Sequence, residues 1–208
     1  MTISSSLTND ETPLVLDTSV LINLHACSYG ERILSALPHG LVVPQVVANE
    51  LEHETSKTNG EQGFLKDLVI AGKVEIATMN DAEYALYARL ITGTPSLDDG
   101  EAATIAIATA RGFCAVIDER KGRAKFSELC SEAVAGWSLD LMLHPHVRRS
   151  LGSTTSVDAV YMALRDGRMR IAEEHCDHVV SLIGSYRAVD CTCLPGYRRR
   201  SGQWMSDR

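Results

Sequence analysis

No run of 18 apolar residues occurs anywhere in this chain of 208 residues, which argues against a membrane-spanning helix. Met1 to Thr12 has neither a basic n-region nor an apolar h-region. It reads as a short disordered lead over residues 1–12 and not as a signal peptide. C-x-x-C pairs are also missing. Cys27, Cys114, Cys130, Cys176, Cys191 and Cys193 are irregularly spaced, and three lie in apolar segments. Cys191-Thr192-Cys193, with His175-Cys176 upstream, lacks the paired spacing of a structural zinc site. Reduced thiols, and with them a cytoplasmic location, are the expectation. Positive charge is scarce as well, since the net charge is −7. Such a chain does not hold nucleic acid by bulk electrostatics, only through local basic groups or bound metal.

Enough apolar residues are present (45%) for a real core. The charge is uneven. Residues 1–144 carry 10 Lys/Arg against 20 Asp/Glu, whereas residues 145–208 carry 10 against 7. Short apolar runs at Leu14–Leu16, Leu41–Val43, Val74–Ala77 and Ala115–Ile117 read as buried strands, and Ala133–Ala135 as a short fifth. Helical periodicity separates them. Asn80-x-x-Glu83 makes a capping box, Gly112 suits a helix end, and Pro44 can open a helix. This alternation predicts an α/β fold, a parallel sheet of about five strands sandwiched by helices. After residue 147 the pattern changes. Gly152–Ser156 reads as a linker, Val157–Leu164 and Met169–Ile183 as helices, and Tyr197–Arg200 as a basic tail. The organisation expected is a domain over 13–147 and a helical C-terminal extension over 148–208.

Acidic residues recur where strands end or helices begin. Asp17 follows Leu14–Leu16, and Asp118-Glu119 follows Ala115–Ile117. Glu50 lies on the helix after the second strand, and Asp98-Asp99-Gly100-Glu101 opens an Ala-rich helix. In a parallel sheet, ligands bind beyond the carboxyl ends of the strands, where Asp17 and Asp118 emerge. Two carboxylates about 4 Å apart repel by roughly 4 kcal/mol at an effective dielectric near 20. Gathering four of them calls for hard divalent cations. Each position also has a structural use. Asp17 can cap a helix, and Asp98-x-x-Glu101 satisfies a capping box.

Four segments carry a resemblance. Leu16-Asp17-Thr18-Ser19-Val20-Leu21-Ile22, Pro44-Gln45-Val46-Val47-Ala48-Asn49-Glu50-Leu51, Leu97-Asp98-Asp99-Gly100-Glu101-Ala102-Ala103 and Val116-Ile117-Asp118-Glu119-Arg120-Lys121-Gly122-Arg123 together resemble, in order and spacing, the motifs of PIN domains of the VapC-like kind. The resemblance covers residues 13 to about 144. It implies metal-dependent hydrolysis of RNA phosphodiesters, with Asp17, Glu50, Glu101 and Asp118 as catalytic acids and Mg²⁺ or Mn²⁺ as cofactor. Asp99 competes with Glu101 as a metal ligand, and Glu119 with Asp118. Thr18 and Ser19 offer hydroxyls to a metal water or a phosphate oxygen. Arg120, Lys121 and Arg123 either steer phosphate or form a solvated helix start. A toxin role, an antitoxin partner and a homodimer follow from the resemblance alone. The rivals are a non-catalytic PIN-like module that binds RNA or protein, and a phosphatase. Against the phosphatase, Asp17-Thr18-Ser19 lacks the second Asp two residues on that an aspartyl-phosphate motif has.

Overall fold

The computed structural model describes residues 5, 7, 11–131 and 133–206. Most of the expected lead over 1–12 therefore lies outside the described residues. Two compact units form, and the chain passes between them more than once. One comprises Thr8–Ile22 and Pro38–Trp137, and the other includes Asn23–Leu37 and Ser138–Arg208.

The first unit is built on a four-stranded, all-parallel sheet. Its strands are β1 (Leu14–Leu16), β2 (Leu41–Pro44), β3 (Glu75–Ala77) and β4 (Cys114–Val116), in the order β3-β2-β1-β4. Leu14, Val15 and Leu16 are all buried, the unbroken apolar reading of a strand covered on both faces. The chain first moves outward from β1 to β2 and β3. It then crosses back to place β4 on the other side of β1. That reversal opens a crevice beyond the carboxyl ends of β1 and β4.

Helices flank this sheet: the start of α1 (Thr18–Ala26), α3 (Gln45–Glu50), α4 (Glu54–Asn59), α5 (Glu61–Ile70), α6 (Asp81–Thr92), α7 (Asp99–Arg111) and α8 (Arg120–Leu129). The small residues of α7 let it lie close against β1, β2 and β4, and every residue from Gly100 to Ala108 is buried. Val15, Ile105, Ile107, Ile117 and Phe126 fill the core between them. Each such side chain contributes about 1.5–3 kcal/mol by leaving water. Gly112 ends α7 at φ 67°, a left-handed conformation that favours glycine.

The second unit is helical: α2 (Gly30–Ala36), α9 (Ser138–Leu143), α10 (Pro145–Leu151), α11 (Ser153–Arg165), α12 (Cys176–Ile183), α13 (Ser185–Ala188) and α14 (Tyr197–Ser206), with a 3₁₀ turn at Glu173–His175. No helix among the described residues is long and apolar enough to cross a membrane, and all six cysteines are free thiols.

Several expectations need correction. The fifth strand reduces to a single parallel bridge between Val116 and Gly136. Gly136 donates to Ala115 O and accepts from Ile117 N, both at 2.9 Å, while Val134 stays exposed. The supposed linker at Gly152–Ser156 is the start of α11. Gly152 precedes the helix at φ 83°, and Ser156 Oγ bonds back to Gly152 O at 3.0 Å. Ser and Thr suit a first helical turn as well as a linker. The helix expected over Met169–Ile183 begins only at Cys176. The chain reverses at Arg168 (φ 56°), and Met169 N bonds back to Ala163 O. The basic tail is the helix α14, anchored by buried Trp204 and by an Arg200–Asp177 ion pair.

The capping box at Asn80/Glu83 forms as expected, and Glu83 does more than cap. Its buried carboxylate takes Arg111 Nε at 2.7 Å and Nη2 at 3.1 Å, tying α6 to α7. The guanidinium holds this carboxyl below its usual range. Glu83→Ala is expected to cost about 2 kcal/mol in a denaturant titration, through loss of the cap and of a charge-assisted fork. Because the folded pKa is depressed, that contribution is present above the unfolded value near 4.5 and fades as pH falls below it.

Candidate acidic site

Two separate stretches deliver three side chains to the backbone at the start of α7. A Cβ added at Gly100 would lie 2.8 Å from Glu50 Oε2, 2.9 Å from Thr18 Oγ1 and 3.0 Å from Asp17 Oδ1. Asp17 leaves the end of β1, Thr18 opens α1, and Glu50 closes α3. Asp17 N also bonds to Val116 O at 3.2 Å, fixing the end of β1 against β4. Gly100 is therefore the position at which a side chain would fill the site.

Glu101 enters next to it and is 1% exposed. Gly122, on α8, makes its room: a Cβ there would fall 2.9 Å from Glu101 Oε1. Both Glu101 carboxylate oxygens are buried with no hydrogen-bond partner. The Lys121 ammonium stands 3.7 Å from Oε2. Asp118, 4% exposed, follows β4, and its charge reaches Asp17.

Local hydrogen bonds set the carboxylates in place. Ser19 donates to Asp17 Oδ2 from its hydroxyl at 2.6 Å and its backbone N–H at 3.3 Å, so Asp17 also serves as a cap. The Thr18 hydroxyl donates to Glu50 Oε2. Asp98 accepts from Glu101 N at 2.8 Å, and the Tyr87 hydroxyl donates to Asp99 Oδ1, also at 2.8 Å.

Burial dominates the electrostatics. It pushes the Asp17 carboxyl up to about 7 against the pull of Ser19, and the charges of Asp98 and Asp118 add to the rise. It pushes Glu101 up to about 7 too, with Asp98 adding and Lys121 opposing. Glu50 is raised by burial, opposed by its Thr18 bond and helped by Asp98 and Asp99. These shifts are in the direction that desolvation gives a buried carboxylate.

The structure thus brings Asp17, Thr18 and Glu50 together at Gly100, with Glu101 one residue further along α7 and Asp118 near enough for its charge to act on Asp17. Asp99 is exposed at the rim and engaged by Tyr87. Glu119 stands before α8, where its charge acts on Glu101. Of the basic residues, Lys121 faces Glu101, and Arg120 is exposed. Arg123 points inward, donating to Ile117 O at 3.1 Å and Asp118 O at 2.5 Å, with its guanidinium 5.3 Å from the Trp137 ring. It braces the loop that carries Asp118. Sequence reasoning treated Asp98 only as a cap, yet its charge bears on Asp17, Glu50 and Glu101 alike. Its place immediately ahead of the Ala-rich helix was the available signal. Tyr87 carried no such signal, because its partner lies on another helix.

The donors are carboxylates and hydroxyls, the oxygen set that suits Mg²⁺ or Mn²⁺. The buried, unbonded Glu101 oxygens fit a cation in kind. Among the described residues, no three His, Cys, Asp or Glu side chains are already drawn close enough to hold a metal ion.

A protein-family model described as "DUF3368: PIN domain" matches residues 13–185. No curated protein and no solved structure matches.

The pKa shifts set a pH dependence. Asp17 and Glu101 titrate near 7 when folded, against 3.8 and 4.5 ordinarily. The folded state therefore keeps protons that the unfolded chain has released. Stability is full below about pH 4 and declines as pH rises to about 7. The unfolding midpoint without divalent cations is expected to fall over that range, by about 2–4 °C for each kcal/mol lost. Added Mn²⁺ at pH 7.5 should restore it, measured by differential scanning calorimetry. A midpoint that is flat between pH 4 and 7 would contradict the assignment.

Proposed function

Because the chain belongs to the PIN-domain family, whose members are generally nucleases, we propose that it is a divalent-metal-dependent endoribonuclease with Asp17, Glu50, Glu101 and Asp118 as its catalytic acids. One observation carries this reading: the Glu101 carboxylate is buried without hydrogen bonds one residue past Gly100, the backbone position on which Asp17 and Glu50 converge. A purely structural acid at that depth would be satisfied, as Glu83 is by Arg111.

Asp17, Glu50 and Glu101 would hold Mg²⁺ or Mn²⁺, with Asp118 completing the set. Such an ion, when bound, would lower the pKa of water at neutral pH and offset the charge that builds on the phosphate. The protein's own groups do the rest. Ser19 and Thr18 fix the rotamers of Asp17 and Glu50 through hydroxyl hydrogen bonds. The Gly100 backbone N–H steadies Glu50. Arg123 holds the Asp118 loop by its carbonyls. Lys121, beside Glu101 and 45% exposed, can turn from the carboxylate toward a phosphate oxygen. The toxin role, an antitoxin partner, a homodimer and a cytoplasmic location extend this same proposal.

The spacing of the acids, wider than a coordination shell, favours a second reading in which the fold binds RNA or protein without cutting. Incubation with mixed RNA and Mn²⁺ separates the two. Wild type is expected to cleave, and Asp17→Asn and Glu101→Gln to lose at least about a hundredfold in rate, as when preorganised charge is removed from a site. RNA retained intact by wild type across several metals would leave the binding module standing.

Gly100→Ala gives a finer test. Alanine favours a helix by about 1 kcal/mol over glycine, yet its methyl would press on Asp17, Thr18 and Glu50. Thermal stability without metal should hold or rise, while the Mn²⁺-induced increase in midpoint should shrink. Equal Mn²⁺ stabilisation of both proteins would detach the ion from this site.

A further inference from the structure

Four large hydrophobic side chains are well exposed among the described residues of the unit that carries the acids: Val69, Ile70, Tyr84 and Val134. Tyr84 is the aromatic one, at 59% exposure. Its ring lies 5.6 Å from that of Tyr87, tilted by 36°. The two stand three residues apart on α6, one turn along the same face. Tyr87 in turn donates its hydroxyl to Asp99, the first residue of α7. The next two residues, Gly100 and Glu101, belong to the acidic site, and the Glu50 charge reaches Tyr87 as well. A tethered ring therefore borders the acids, and an exposed ring extends outward from it.

Tyr87 is partly buried against the core with its hydroxyl end tied to Asp99, whereas packing does not explain the exposed Tyr84 ring. The buried positions of α6 are Glu83 and Leu90, and Tyr84 turns away from them. Lys121 offers one charge to a phosphate, which leaves the bases without a contact beside a site of net negative charge. Aromatic faces can supply one, because every nucleobase has a π-face, and stacking on a protein ring is worth about 1–3 kcal/mol per base. Bases are open to such contacts only in unpaired RNA.

We propose that Tyr84 and Tyr87 form a stacking platform for consecutive bases of single-stranded RNA, leading the adjoining phosphate to the acidic site. Tyr87 is the inner position, fixed through Asp99, and Tyr84 the outer one. The proposal rests on the nuclease reading above and adds the substrate class and the contact that selects it. It assigns Asp99 the job of orienting Tyr87.

The test uses the full chain with Mn²⁺ and an unpaired RNA oligonucleotide carrying 2-aminopurine, beside the same sequence in a duplex. Stopped-flow fluorescence reads stacking before cleavage, and gel kinetics read kcat and KM. Wild type should quench the probe and prefer the unpaired strand. Tyr84→Ala and Tyr84→Leu should raise KM about 5- to 100-fold, the range that the loss of one stacked base spans. Both should lose most of the quench and keep kcat within about twofold. Tyr84→Phe should retain KM and quench, since the ring and not the hydroxyl stacks. Unchanged KM in Tyr84→Ala, with wild type cutting RNA, overturns the platform and leaves the nuclease reading intact. The same is true if Tyr84→Phe fails as badly as Tyr84→Ala. A shift of oligomeric state in Tyr84→Ala during sedimentation overturns it in favour of a protein contact. Wild type that neither cuts nor quenches overturns both proposals.

Discussion

Carboxylates buried at the edge of the parallel sheet set the terms for the rest of this structure. Asp17, Glu101 and Asp118 are 3%, 1% and 4% exposed. Burying an ionised carboxylate alone is costly enough that such a group shifts its pKa upward instead, and Asp17 and Glu101 both do so. The parallel sheet makes this burial unavoidable. β1 and β4 are adjacent, and the residue after each apolar run emerges into the same crevice. The strand order that builds the core also creates the electrostatic problem at its edge.

Glu83 shows how the same chain treats an acid whose task is structural. It is as deeply buried as Glu101, but it holds a guanidinium fork and a cap, and its carboxyl is lowered rather than raised. Glu101 receives one distant ammonium and leaves both oxygens without hydrogen bonds. The two residues lie on neighbouring helices, so depth alone cannot account for the contrast. Room for the second group is left by Gly122, where a larger residue would press on its carboxylate. Functional sites are where such local violations are expected.

Much of this was legible in the sequence because it depended on short-range signals. Leu14–Leu16 and Ala115–Ile117 announce buried strands, and the acids that follow them are fixed by chain connectivity. Capping at Asn80 and Asp98 was legible for the same reason. Partners far apart in sequence were not. Thr18 meets Glu50 across 32 residues, and Arg111 meets Glu83 across 28. Arg123 read as either a phosphate-steering group or part of a solvated helix start, yet it turns inward to the loop carbonyls and Trp137. Composition misled at Gly152–Ser156, where Ser and Thr serve a helix start, and at Ala133–Ala135, where apolar residues gain only one bridge.

Asp99 and Glu101 are set apart by geometry rather than by residue type. At the start of an α-helix, successive side chains diverge by about 100°, so Asp98, Asp99 and Glu101 do not share a direction. Asp98 folds back onto the Glu101 N–H, and Asp99 reaches Tyr87. Glu101, one position past Gly100, is buried against α8. The division of labour is economical in residues. Asp98 ends the preceding loop and adds negative potential to three acids at once. Asp99 ties the aromatic flank to the same helix start. Glu101 alone of the three is left with unsatisfied buried oxygens, so it is the one on which the metal proposal bears.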